Sequence, residues 1–96
     1  MQIRLENIKS NPISFMRSCG YALGGQDGAE TSFMRRILGR DYPRFHAYVH
    51  WEGETLVINL HLDQKKPSYE GSNAHSGEYN GGLVAEEAER IRSCVN

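Results

Sequence analysis

The chain has 96 residues, 39% of them apolar and 24% charged, and its net charge is −1. That length fits one domain with a thin core. The near-zero charge excludes a global basic field for nucleic acid, and no apolar run approaches the ~20 residues that span a bilayer.

The N-terminal "MQIRLENIKSNP" lacks the apolar centre of a signal peptide, so a cytoplasmic protein is expected. Ile3, Leu5 and Ile8 fit either a short edge strand or a lead-in arm. Asn11 followed by Pro12 then reads as an N-cap with proline at the first helical position, where its missing N–H is harmless. Phe15, Met16 and Cys19 share one face of that helix, and Gly20 supplies a left-handed stop, so a helix over 11–19 is expected. Cys19 and Cys94 are the two cysteines; they have no CxxC spacing and are read as reduced thiols.

"GYALGGQDGAETSFMRRI" predicts two strands around a turn, with Gly24, Gly25, Asp27 and Gly28 able to take the positive φ of a tight turn. "LGRDYP" is a loop. "RFHAYVHW" and "ETLVINLHLD" predict a β-hairpin around Glu52-Gly53. A two-residue turn there sets Val49 opposite Leu56, Ala47 opposite Ile58 and Phe45 opposite Leu60, all apolar and on one face. The other face pairs His50 with Thr55, Tyr48 with Val57 and His46 with Asn59, and His61 and Asp63 continue it.

From about 64 to 82 the sequence has no strand or helix period, and a polar loop of that length is usually functional or disordered. A final helix from about Leu83 to Cys94 carries the stripe Val84, Ala88, Ile91 and Val95. Glu86 and Glu87 fall in its expected first turn and Arg90 and Arg92 in its last, which suits the macrodipole. These elements predict a single α+β domain over 1–96, an antiparallel sheet (meander and hairpin) with two α-helices packed on one face in two layers. Trp51, ending a strand on the apolar side, is read as the edge of the core.

The architecture resembles the small HicA-like and double-stranded-RNA-binding-like domains. "FMRSCGYAL" is similar to the way HicA-like toxins pass from a helix through glycine to an aromatic residue, and the resemblance covers roughly 11–63 and the last helix. It implies a bacterial source and nucleic acid as a partner. Those toxins carry a catalytic histidine near the first strands; "GGQDGAETSF" has none, so ribonuclease activity does not carry over.

Three chemistries compete for the polar face. His61 and Asp63, two apart on a strand, project from one side about 6–7 Å apart. With His75 and Glu78 from the loop, and His46 as a fifth ligand or a supporting group, they make a donor set for Zn²⁺, Mn²⁺, Fe²⁺ or Ni²⁺. Against this, histidines on an open sheet face are often plain surface residues. The second chemistry is phosphate recognition. Residues 1–44 carry +3 from seven basic and four acidic side chains, concentrated in Arg35, Arg36, Arg40 and Arg44. Lys65 and Lys66 could join them, with Tyr42, Tyr48, Tyr69 and Trp51 for stacking. The third is metal-free acid–base work by His61 beside Asp63 or Glu78. The expectation is a small binding protein with a divalent-metal site on the open hairpin face. The alternatives are a nucleic-acid-binding module or divergent HicA-like relative using arginines 35–44, and a module whose loop folds against a protein partner.

Overall fold

The computed structural model describes residues 1–64 and 81–95. It is α+β: a five-stranded antiparallel sheet and two helices, in the order β1 (Gln2–Leu5), α1 (Pro12–Ser18), β2 (Ala22–Asp27), β3 (Glu30–Arg36), β4 (Arg44–Glu52), β5 (Thr55–Asp63) and α2 (Gly81–Arg92). The sheet order is β1-β5-β4-β3-β2. Among the described residues no helix is long and apolar enough to cross a membrane. The expected loop at 64–82 lies almost wholly outside the described residues.

Local chemistry explains the first elements. The Asn11 side chain accepts a hydrogen bond from the Ser14 N–H at 2.8 Å, satisfying an otherwise orphaned donor, and Pro12 opens the helix. Gly20, at φ 94°, ends it as expected. The N-terminal segment resolves to an edge strand: Ile3 pairs with Ile58 and Leu5 with Leu56.

Both hairpins turn on a glycine at the first of two central positions. Gly28 (φ 64°) leads Ala29 between Asp27 and Glu30, and Gly53 (φ 61°) leads Glu54 between Glu52 and Thr55. Ala29 and Glu54 keep negative φ, the type II′ pattern whose twist matches the flanking strands. Gly24 instead occupies a β-bulge between Leu23 and Gly25, where an added Cβ would lie 2.9 Å from the Ser32 Oγ.

The β4–β5 register corrects the sequence expectation by two residues. Val49 pairs with Ile58, Ala47 with Leu60, Phe45 with Leu62 and Trp51 with Leu56. The turn is Gly53-Glu54, not Glu52-Gly53, because glycine tolerates positive φ and glutamate does not. A shift of two preserves which face each side chain uses, so the apolar set survives while each partner changes. Gly53→Ala has open space around the new Cβ, so its effect is purely conformational. It is expected to destabilise by about 1–2 kcal/mol, read from the urea midpoint; an unchanged midpoint would contradict the positive φ.

One buried cluster joins Ile3, Leu5, Phe33, Phe45, Ala47, Val49, Leu56, Ile58 and Leu60 of the strands to Phe15, Met16, Cys19 and Tyr21, and to Ala88 and Ile91 of α2. The α2 stripe is therefore as expected, with Val84 and Val95 at its margin. Trp51 is 43% exposed, at the rim rather than within the core.

Glu87 departs from its expected role. The helix begins at Gly81, earlier than the sequence implied, and no acidic residue lies in its first turn. Glu87 is only 4% exposed. It accepts from the Tyr21 hydroxyl at 2.6 Å and from Arg90 through Nε and Nη2 at 2.8 Å each, with the Arg35 guanidinium 3.5 Å away. Arg90 also donates to the Cys19 carbonyl at 2.6 Å, tying α2 to the end of α1.

Candidate functional site

The side of the sheet opposite the core cluster carries a row from each strand: Arg36, Met34, Ser32 and Glu30 on β3; Arg44, His46, Tyr48 and His50 on β4; Asp63, His61, Asn59 and Val57 on β5. Gln2 and Arg4 of β1 extend it. Two polar districts occupy this face.

The district near the hairpin turn is a chain of close polar contacts. Arg4 reaches Glu52 at 3.0 Å although β5 lies between their strands. One His50 ring nitrogen is 3.1 Å from Glu52, and the other 3.4 Å from Glu30. His50 and then Arg4 hold the Glu52 carboxyl below the usual carboxylate range by hydrogen bonding. Val57 sits between Arg4 and His50 in the register and is fully buried without belonging to the core cluster. The stems of these charged side chains roof it over.

The other district, at the far end of the β4–β5 pair, holds His46, His61 and Asp63, three of the five residues expected as ligands. His46 lies directly opposite His61, and Arg44 opposite Asp63. The His46 Nδ1 is 3.5 Å from the Asp63 Oδ2, and the Arg44 Nε is equally far from that oxygen. The imidazole–carboxylate pair is thus His46–Asp63, whereas the sequence put Asp63 with His61. A diagonal cross-strand neighbour is about 7–8 Å away at the backbone, still within reach of an imidazole. Tyr48 touches both histidines, its ring centroid 4.5 Å from that of His46 and 5.8 Å from that of His61, edge-on to the latter. The Arg44 guanidinium lies over the Tyr42 ring at 4.6 Å. Its Nε has no hydrogen-bond partner among the described residues.

A cleft of about 510 Å³ opens here, lined by His46, Tyr48, His61 and Asp63 and walled by Met1, Leu60, Leu62 and Val84. Tyr48 was legible as a lining residue from the strand alternation. Val84 was not, because its place beside β5 depends on how α2 docks. His75 and Glu78 lie outside the described residues, as do Lys65, Lys66 and Tyr69. Among the described residues, no three His, Cys, Asp or Glu side chains gather closely enough to enclose a metal ion.

The arginine cluster divides between the two faces. Arg35 follows Phe33 on the core side, where its guanidinium lies 6.0 Å from the Phe45 ring centroid and beside Glu87. Arg36 and Arg44 are cross-strand partners on the face opposite the core cluster, paired respectively with Asp41 at 3.1 Å and Asp63 at 3.5 Å. Arg40 is exposed in the loop between them. No protein-family model, curated protein or solved structure matches the chain.

Proposed function

We propose that this protein is a small binding protein whose site is the His46–His61–Asp63 corner of the open sheet face, with a divalent metal as occupant. The observation that carries the reading is the 3.5 Å separation of the His46 Nδ1 and the Asp63 Oδ2. Donors bound at about 2.0–2.2 Å to a tetrahedral ion lie roughly 3.3–3.5 Å apart, so this pair already spans one edge of such a shell. His61 is exposed and directly across from His46, and a rotamer change brings its ring toward the same point. Mixed imidazole and carboxylate donors favour Zn²⁺ over Mg²⁺ or Ca²⁺. The reading also takes α1 and α2 as one layer over the apolar face, leaving the histidine face open. The single cluster that draws on both helices and the inward strand residues supports that arrangement.

Phosphate recognition by the arginines is the weaker reading, since Arg35, Arg36 and Arg44 each already face a carboxylate. Calorimetric titration of tag-free, chelator-stripped protein with Zn²⁺ is expected to show one binding event. His46→Ala and Asp63→Asn are each expected to weaken it at least ~10-fold, the loss that removing even a residue that only supports a ligand produces. A folded protein that takes up no Zn²⁺, or both variants binding like the parent, would sink the proposal.

A further inference from the structure

We propose that the cleft between the end of β1 and the β4–β5 turn binds a free α-amino acid with an apolar or aromatic side chain. The cleft has a volume of about 570 Å³, within the range of small-molecule sites, and lies at the other end of β4 and β5 from the histidine corner. Its walls come from segments remote in sequence. Asn7, Ile8 and Lys9 follow β1, while Trp51, Gly53 and Glu54 belong to the end of β4 and the turn. The register brings them together, because Leu5 and Trp51 pair with Leu56 from either side. With β5 between them, the two walls stand roughly 9–10 Å apart at the backbone. Gly53 adds no side chain to the space, and a Cβ built there would meet nothing within 4 Å.

An uncommitted aromatic ring and an uncommitted pair of opposite charges define the ligand. Trp51 is 43% exposed, and its indole has neither a hydrogen-bond partner nor a ring contact among the described residues. Ile8, packed against the core, adds a second apolar surface. Lys9 and Glu54 line the same cleft, yet among the described residues they pair neither with each other nor with any other side chain. By contrast, Arg4 and Glu52 on the opposite face of the sheet meet at 3.0 Å. An ammonium and a carboxylate held apart beside apolar walls complement a molecule that carries both charges at one end and an apolar group at the other. An α-amino acid has that form. Its ammonium faces Glu54, its carboxylate faces Lys9, and its side chain lies on the Trp51 indole and Ile8. The Asn7 amide both donates and accepts, so it can serve either charged end. A ligand of a single charge would meet a like charge at Lys9 or Glu54, and a neutral ligand would leave both unpaired.

Trp51 is the single tryptophan of the chain, so its fluorescence reports the cleft directly. The test titrates the chelator-stripped protein with L-phenylalanine, 3-phenylpropionate, phenethylamine and glucose; stripping keeps metal binding at the histidine corner out of the measurement. Phenylalanine is expected to change the emission saturably, with an affinity that falls as NaCl is raised. 3-Phenylpropionate lacks the ammonium and phenethylamine the carboxylate, and each is expected to bind at least ~3-fold more weakly, as loss of a half-solvated ion pair implies. Glu54→Gln is expected to weaken phenylalanine by the same factor without weakening 3-phenylpropionate. Lys9→Gln is expected to weaken phenylalanine without weakening phenethylamine. Both positions are exposed, so neither variant should disturb folding. No saturable response to phenylalanine, single-charge analogues that bind as tightly as phenylalanine, or a saturable response to glucose alone would each overturn the proposal.

Discussion

Phe33→Ala is expected to destabilise the protein by about 3–5 kcal/mol, the range for removing a fully buried aromatic ring from a core. Phe33 has 0% exposure and lies on β3, with a paired strand on each side. Its row across the sheet runs Leu23, Phe33, Ala47, Leu60. The small Ala47 stands between two large side chains, so the large-to-small change would place two alanines side by side with nothing to fill the gap. Domains of this size hold about 5–15 kcal/mol in total, so the variant should lose roughly a fifth or more of its stability. The urea midpoint measures this. A shift under about 1 kcal/mol would mean that the core repacks around the loss and that Phe33 is not central to it.

Glu87→Ala is expected to destabilise by about 2–3 kcal/mol. Removing one member of a fully buried pair typically costs about 3–5 kcal/mol. Here the Arg35 and Arg90 side chains remain 32% and 36% exposed and regain some hydration, which lowers the figure. Tyr21, held neutral by burial and by its bond to Glu87, would also lose its acceptor.

The same carboxylate makes a pH prediction. Burial by itself would raise the Glu87 pKa. Hydrogen bonds from Arg90 and Tyr21, with the charge of Arg35, outweigh burial and hold it below the ordinary value. A group whose pKa is depressed by folding contributes stability above its unfolded pKa, about 4.3 for glutamate. That contribution is lost as the pH falls through the folded value. Urea midpoints measured from pH 7 to pH 3 should therefore fall more steeply for the parent protein than for Glu87→Gln. Parallel curves would show that Glu87 ionises no differently in the folded and unfolded states.

Much of the fold is written in short-range patterns. Asn11-Pro12 and Gly20 bound α1 wherever the helix packs, since capping is a matter of a few bonds within one turn. The alternation through Phe45, Ala47 and Val49, and through Leu56, Ile58 and Leu60, fixes which side chains meet the core. It does so even when the pairing is displaced by two, because strand faces repeat with that period. Ile3 and Leu5 carry too few residues to choose between arm and strand, and only the free edge of β5 decides it.

The candidate site divides along the same line. Sequence alone placed His46, His61 and Asp63 on one face, because alternation is a local property of each strand. It could not say which histidine Asp63 would approach, since that depends on the cross-strand register set by the positive φ of Gly53. The same alternation puts Arg35 and Arg36, adjacent in β3, on opposite faces, so the arginines read as one cluster do not share a surface. Glu87 read as a surface charge near a helix start. Only the docking of α2 against Tyr21 and Arg35 turned it into a buried hub. Local patterns of a few residues determine elements and faces; contacts between residues far apart in the chain appear only when the elements pack, and they select the partners.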